Sequence, residues 1–306
     1  MTDATAPVQP GLTSHDRLGH LRGDAARLDE LWADPATRVL PVNAGWMLAL
    51  DGAPAWLAPA EAEAAVGEGT RILLGAHDGV HHFALHVGWR DDAREWAGMR
   101  DLGEHFVVDG WDTRLVFHAL GMSEWLTRTR FCPRCGAALV PELAGHVLRC
   151  TACKREHFPR IEPAVIMLIT HGEPGAADEK CLLGSGHTWG AHRFSTLAGF
   201  TEPGESLEDS VRREVLEEAG VSVGEVTWFG SQAWPFPSSL MLGFFGRATS
   251  TEISVDPVEL ADARWFTREE LRAQTESGEI ALPGRGISIS RELIEAWYGG
   301  ELPGHW

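Results

Sequence analysis

The chain contains one tyrosine, Tyr298, and five cysteines, and it has no uninterrupted apolar run long enough to cross a bilayer as a helix. A membrane-spanning helix is therefore excluded. Basic residues are also scarce: 26 Lys and Arg stand against 44 Asp and Glu, a formal net charge of -18. Such a surface does not attract nucleic acid or anionic membrane broadly, so an anionic ligand has to be met locally, by metal cations or a few placed donors. The opening MTDATAPVQPGLTSHDRL has no basic start followed by an apolar stretch, which argues against an export signal and for a cytoplasmic location. In that compartment the cysteines are expected as free thiols or metal ligands, not disulfides. Nothing in the sequence explains why there are 13 tryptophans beside the single tyrosine.

What is present suits a soluble globular protein. The 306 residues suffice for two or three folded units, and 44% apolar content is enough to build their cores. Three segments are expected: 1–127, 128–157 and 158–306. In the first, short apolar runs at Arg38–Leu40, Trp46–Leu50 and Arg71–Leu74 are separated by Gly, Pro and Asp, the pattern of a β-rich domain. His81, His82 and His86 lie close together there. His82 and His86 share a strand face with Ala84 and have no acidic or thiol partner at ligand spacing. They read as partly exposed strand histidines, not as a metal site.

The second segment carries Cys132-Pro-Arg-Cys135 and Cys150-Thr-Ala-Cys153. Each pair can form a tight knuckle with converging thiolates, and four thiolates meet the tetrahedral preference of zinc. With all four positions filled by sulfur, no site is left for water. One structural Zn²⁺ per chain is the expectation, and metal binding would hold together a segment too short for its own core. Cys181 has no partner in the pattern and reads as a small buried apolar residue.

The third segment alternates strand-like and helix-like stretches. Ala164–Thr170 has the apolar, β-branched content of a buried strand. Leu207–Ala219 reads as a helix closed by Gly220. Thr267 and Glu270 form a capping box that opens a helix through Gln274, and a last helix is expected over Ser290–Trp297. The fold class is α/β (α+β), with an α/β sandwich in this segment.

The helix 207–219 carries the chemistry. At 100° per residue Glu214, Glu217 and Glu218 fall within an arc of about 100°, while Leu207, Val211 and Val215 form an apolar face. As a helix this is poorly designed. Glu214 and Glu218 repel at i, i+4, and Glu217 and Glu218 sit in the last turn, where the helix dipole disfavours negative charge. A local rule broken without a folding gain points to function. A divalent cation with a taste for hard oxygen ligands, Mg²⁺ or Mn²⁺, would remove the conflict.

The spacing from Gly199 through Glu205, Arg213-Glu214, Glu217-Glu218 and Gly220-Val221 resembles the Nudix box at every defined position. The resemblance implies an α/β/α sandwich in which Glu214, Glu217 and Glu218 ligate catalytic metal and Glu218 activates water. Gly199 would permit the turn from strand into loop, and Arg213 would orient a neighbouring carboxylate. Glu259, before Ala263-Arg-Trp265-Phe266, resembles the family's additional metal ligand. Downstream, Ser231-Gln232-Ala233-Trp234-Pro235-Phe236-Pro237-Ser238-Ser239 places two aromatic rings on a proline-stiffened backbone between polar flanks, a build suited to stacking a flat ring.

That segment is similar to the S-Q-P-W-P-F-P-x-S array of NADH pyrophosphatases, with Ala233 where the array has proline. The family's plan also agrees: an N-terminal domain, a four-cysteine zinc ribbon and a C-terminal Nudix domain. It implies hydrolysis of NAD(H) to AMP and nicotinamide mononucleotide, removal of NAD caps from RNA in some members, and a homodimer. By position it implies substrate contacts from Phe200, Phe158, Gln232, Trp234, Phe236, Ser239 and the backbone near Ala281. Phe158 stands where a tyrosine is common, which keeps the stacking surface and loses a hydroxyl. Two other readings compete. One is a Nudix hydrolase of another nucleotide, such as ADP-ribose or a dinucleoside polyphosphate. The other is a zinc-ribbon adaptor for RNA or protein whose Nudix domain is inactive.

Overall fold

A computed structural model describes residues 15–89, 94–108, 112–190 and 192–304. Most of the leading segment read above for an export signal, residues 1–14, lies outside the described residues, as do His305 and Trp306. By contact density the chain divides into two compact units. One comprises Glu162–Ala233 with the residues from Leu240 onward. The other comprises the described residues up to Ile161 with the short segment Trp234–Ser239.

The earlier unit opens with α1 (Ala25–Ala33), whose N-cap Asp24 accepts from the Arg27 N–H. Strands β1 (Arg38–Asn43), β2 (Trp46–Leu50) and β3 (Ala53–Pro54), helix α2 (Pro59–Val66), and strands β4 (Thr70–His77), β5 (Val80–His86) and β6 (Trp96–Gly98) follow. The sheet runs β3-β2-β1-β5-β4, with β6 beside β2 and with β1 and β5 parallel. Helices α3 (Gly103–Val108) and α4 (Thr113–Arg128) come next. The strands expected from the sequence are present, and among the described residues four α-helices accompany them. Of these α4 is the longest, packing Leu115, Val116, Ala119 and Leu120 against β1, β4 and β5.

The reading of one histidine is corrected. His82 is buried, not partly exposed, and its Nδ1 bonds the Val80 carbonyl. His86 is half-buried and bonds the Ser123 hydroxyl of α4 at 2.8 Å. Burial lowers both imidazoles to a pKa of about 4, so both are neutral at physiological pH. Neither belongs to a group with metal-ligand geometry among the described residues.

The cysteine-bearing segment forms a three-stranded sheet of β7 (Leu139–Glu142), β8 (Val147–Cys150) and β9 (Glu156–His157). It has little apolar interior of its own. Gly145, at φ 80, lets the β7–β8 turn press on Ile72, and the Leu73 N–H bonds the Ala144 carbonyl.

The other unit is built on β10 (Glu162–His171), β11 (Lys180–Gly186), β12 (Leu197–Phe200), β13 (Val223–Trp234), β14 (Ser239–Ala248) and β15 (Leu260–Thr267), in the order β13-β14-β10-β11-β15 with β12 against β10. Helices α5 (Leu207–Ala219), α6 (Arg268–Ser277) and α7 (Ile289–Tyr298) cover it. Successive residues of β10 enter opposite cores, as period-two geometry requires. Ile166 and Leu168 pack with Leu271, Leu293, Ile294 and Trp297 of α6 and α7. Val165, Met167 and Ile169 pack with Val211, Val215 and Ala219 of α5. The sheet therefore lies between helical layers, an α/β/α sandwich. Cys181 is fully buried in the first core, and burial raises its thiol pKa.

Candidate active site and zinc knuckles

Helix α5 begins where Ser206 accepts from the Asp209 N–H at 3.1 Å, and Glu208 and Asp209 place negative charge at its positive end. It ends at Gly220, whose φ of 70° is readily adopted only by glycine. The last carbonyls are not left to solvent. That of Leu216 accepts from Gly220, that of Ala219 from the Ser254 N–H at 2.9 Å, and that of Glu218 from the Asp256 N–H at 3.0 Å. The loop 254–259 is thus hung from the helix end, and it carries Glu259. His187 supports the same loop through a 2.9 Å contact with the Pro257 carbonyl.

Carboxylate oxygens of Glu214, Glu218 and Glu259 all lie within 4.8 Å of one another. Glu218 is 8% exposed, and its Oε2 is buried without a hydrogen-bond partner. Burial, with Glu214 and Glu259 adding repulsion, pushes its pKa up to about 8. Burial likewise raises that of Glu214. A buried, unsatisfied carboxylate oxygen among like charges is costly by itself and is relieved by a cation. The donor set, oxygen only, suits a hard divalent ion.

Glu217 is placed differently. It is half-exposed and accepts from Arg213 Nη1 at 2.9 Å, outside the group of three. Arg213 engages three carboxylates. Its Nε and Nη2 grip Glu205 at 2.6 and 2.9 Å, Nη1 donates to Glu214 and Glu217 at 2.9 Å each, and Nη2 also reaches the Phe200 carbonyl at 2.9 Å. The paired guanidinium holds Glu205 down to a pKa of about 2. The sequence assigned Glu205 only a place in a spacing. The structure shows it as the anchor of Arg213, joined by the Ser210 hydroxyl and the Glu202 N–H.

Gly199 needs a corrected reason. It is not at a turn but within β12, paired with Val165. A Cβ there would overlap the Glu214 carboxylate itself, so glycine is required by close approach and not by a special backbone angle.

In the other unit Cys132 Sγ and Cys153 Sγ are 3.7 Å apart, Cys135 Sγ and Cys150 Sγ are 3.4 Å apart, and all four lie within 4.8 Å. The edge of a tetrahedron with Zn–S bonds of 2.3 Å is about 3.8 Å, so the quartet fits zinc. Each knuckle closes on a residue of positive φ, Gly136 at 72° and Lys154 at 59°. The Cys153 N–H points at Cys150 Sγ and, with its neighbours, lowers that thiol to a pKa of about 6.

The residues expected to hold substrate fall on both units. Phe200 is 56% exposed at the end of β12. Both amide atoms of Gln232 are engaged, the oxygen by the Ile289 N–H at 2.9 Å and the nitrogen by the Ile287 carbonyl at 3.2 Å. The Ala281 N–H and carbonyl bond His192 and Phe194. In the other unit Phe158 is 63% exposed, Trp234 and Phe236 meet edge to face at 5.4 Å, and Ser239 ends the same segment.

The comparisons with known proteins agree with this geometry. A NUDIX domain model matches residues 161–282, and a model of the NADH pyrophosphatase zinc ribbon domain matches residues 127–158. The chain is 37% identical over 231 residues to the NAD-capped RNA hydrolase NudC of Stutzerimonas stutzeri, covering 75% of this chain and 78% of that protein. It is 36% identical over 299 residues to NudC of Mycobacterium tuberculosis, 92% of each. Human NAD-capped RNA hydrolase NUDT12 is 41% identical over 195 residues, 60% of this chain but 41% of that protein, so the chain spans about two fifths of its length. This chain belongs to the Nudix hydrolases, within the NADH pyrophosphatase family that carries a zinc ribbon.

Proposed function

We propose that the protein hydrolyses the diphosphate of NAD(H) to AMP and nicotinamide mononucleotide and removes NAD caps from RNA, acting with Mg²⁺ or Mn²⁺ as a cytoplasmic homodimer. The observation that carries the reading is the convergence of Glu214, Glu218 and Glu259 around the unpartnered Glu218 Oε2. These three residues would hold the divalent ion. Bound there, it supplies positive charge to the diphosphate oxygens and acidifies the attacking water. The reaction adds one water across the phosphoric anhydride: a P–O bond forms to the water oxygen, the bridging P–O bond breaks, and a proton leaves the water. Glu218 is the acceptor assigned to that proton. Arg213 fixes Glu214 and Glu217 and ties the helix to the Phe200 backbone. Glu217, held by Arg213 in this structure, would serve as a further metal ligand once released from it.

Phe200 and Phe158 are assigned to stacking on a base, worth about 1–3 kcal/mol per base. Trp234, Phe236 and Ser239 are assigned to the pocket, and Gln232 and the Ala281 backbone are separately assigned to substrate binding. The names and similarity of the relatives support the choice of nucleotide, and the expected division into 1–127, 128–157 and 158–306 follows the same plan.

The test is product analysis after incubation with NADH and Mg²⁺ or Mn²⁺, beside ADP-ribose and a diadenosine polyphosphate. AMP and reduced nicotinamide mononucleotide are expected from NADH. Hydrolysis of the other two without NADH turnover would keep the chemistry and reject the substrate.

A further inference from the structure

The segment Trp234–Ser239 interrupts the sandwich unit in sequence but packs with the earlier unit, and its partner there is α4. Phe117 and Gly121 are four residues apart and so lie on one face of that helix. They are only partly buried, whereas Leu115, Val116, Ala119 and Leu120 are fully buried beside them. Phe236 meets Phe117 edge to face, with centroids 5.9 Å apart and planes at 87°. Phe117 also meets Phe106 at 6.4 Å, and Phe236 meets Trp234 at 5.4 Å, so four rings form one continuous series from α3 through α4 to the segment. Such offset contacts fix ring orientation as well as burying area.

Gly121 gives the second observation. It sits in the middle of α4, where glycine weakens a helix relative to alanine. Its φ is not positive, so no backbone angle demands it. A Cβ at this position would meet Pro235 Cβ at 3.1 Å, closer than ordinary van der Waals contact. The helix gives up propensity at a point where the proline of the segment lies against it.

We propose that Phe117 and Gly121 of α4 are positioning residues that seat the Trp234–Pro235–Phe236 segment, so that the N-terminal domain sets the geometry of the base-binding pocket. The proposal rests on the assignment of that segment to substrate binding, made above. It gives the N-terminal domain a task in the reaction that none of its own residues performs by touching the reacting atoms.

The test uses the full-length protein with NADH and saturating Mg²⁺, measuring KM, kcat, zinc content and thermal melting for Phe236→Ala, Gly121→Ala, Gly121→Val and Phe117→Ala. Phe236→Ala is expected to raise KM about tenfold. Gly121→Ala should raise KM about threefold and Gly121→Val about tenfold, with kcat within about twofold. Because alanine is the better helix former, Gly121→Ala should melt no lower than the parent, which separates displacement of Pro235 from loss of folding. If Phe236→Ala raises KM while both Gly121 variants and Phe117→Ala keep the parental value, the seating proposal is wrong. If Phe236→Ala itself leaves KM unchanged, the pocket assignment falls first and the proposal falls with it. A parallel loss of kcat, zinc and melting temperature in Gly121→Val, with parental kinetics in Gly121→Ala, would assign α4 a structural role only.

Discussion

Among the described residues metal-ligand side chains gather in two places, four thiols in one unit and three carboxylates in the other, and the two sites are assembled differently. The thiol site is made from two short knuckles joined by a hairpin. Its four sulfurs already stand near tetrahedral edge lengths, and all four are used. The carboxylate site draws on α5 and on a loop some forty residues later, held to the helix end by backbone bonds to the Ala219 and Glu218 carbonyls. It retains a buried oxygen with no partner and a carboxyl pushed toward neutrality. A closed, matched set of donors serves folding, whereas an unsatisfied set with room for further ligands serves chemistry.

Breaking one residue in each site should separate these roles. Glu218→Gln removes the carboxylate proposed as proton acceptor and ion ligand, so kcat should fall by at least about 10³-fold. Melting without added divalent ion should stay at or above the parental value, because a neutral amide escapes the repulsion of Glu214 and Glu259. Near-parental turnover would refute the assignment of Glu218. Cys132→Ser should show the reverse pattern: loss of bound zinc by metal analysis and a drop of several kcal/mol in the stability of its unit. The kcat of the fraction that remains folded should stay within about twofold. A parental protein that contains no tightly bound zinc would end the structural reading.

Gly199→Ala sharpens the comparison from the carboxylate side. The added methyl group occupies the space of the Glu214 carboxylate, and ångström-scale misplacement of a catalytic group costs up to about 10²-fold in rate. A loss of about 10–10²-fold is expected, together with weaker Mn²⁺ binding by titration. An unchanged Mn²⁺ affinity would show that Glu214 can be repositioned freely. No glycine in the zinc knuckles is predicted to act in this way, since a Cβ on Gly136 would meet nothing.

How much of this was legible in the sequence depends on how local each feature is. The zinc quartet was, because a C-x-x-C knuckle sets its own geometry within four residues. The extent of α5 and its acidic face were legible too, since a capping serine, an αL glycine and a 100° period fix them. The separate fate of Glu217 was not. Helix angle places it beside Glu214 and Glu218, but Arg213 at i-4 captures it instead. Gly199 was legible as a requirement and not in its cause, which depends on α5 lying against β12. His82 illustrates the same limit in the other unit. Alternation gives the face of a strand but not what covers that face, and here it is buried. The seat of Trp234–Phe236 on α4 joins residues more than 110 positions apart, and its one local trace was a glycine in mid-helix.

The smallest effect concerns acid and base, and it sets the two units against each other once more. Burial lowers His82, His86 and His146 to a pKa of about 4, against about 6.5 in an unfolded chain. Between those values the unfolded state binds more protons than the folded one. Stability of this unit is therefore complete above about pH 6.5 and is lost as pH falls toward 4, by about 1–2 kcal/mol per histidine at pH 5. In the sandwich unit burial raises Glu292 to about 7 and Glu218 to about 8. There the folded state binds more protons, so stability is complete below the ordinary carboxylate range and declines as pH rises through 7 and 8. Peptide-resolved hydrogen exchange at pH 5 and pH 8, corrected for intrinsic rates and without added divalent ion, should show protection shifting from the sandwich unit at pH 5 to the earlier unit at pH 8. Mn²⁺ should restore protection around α5 at pH 8 and leave the region around α7 unchanged, because Glu292 lies outside the carboxylate cluster. Parallel responses in both units would mean that their buried titrating groups do not govern stability in this range.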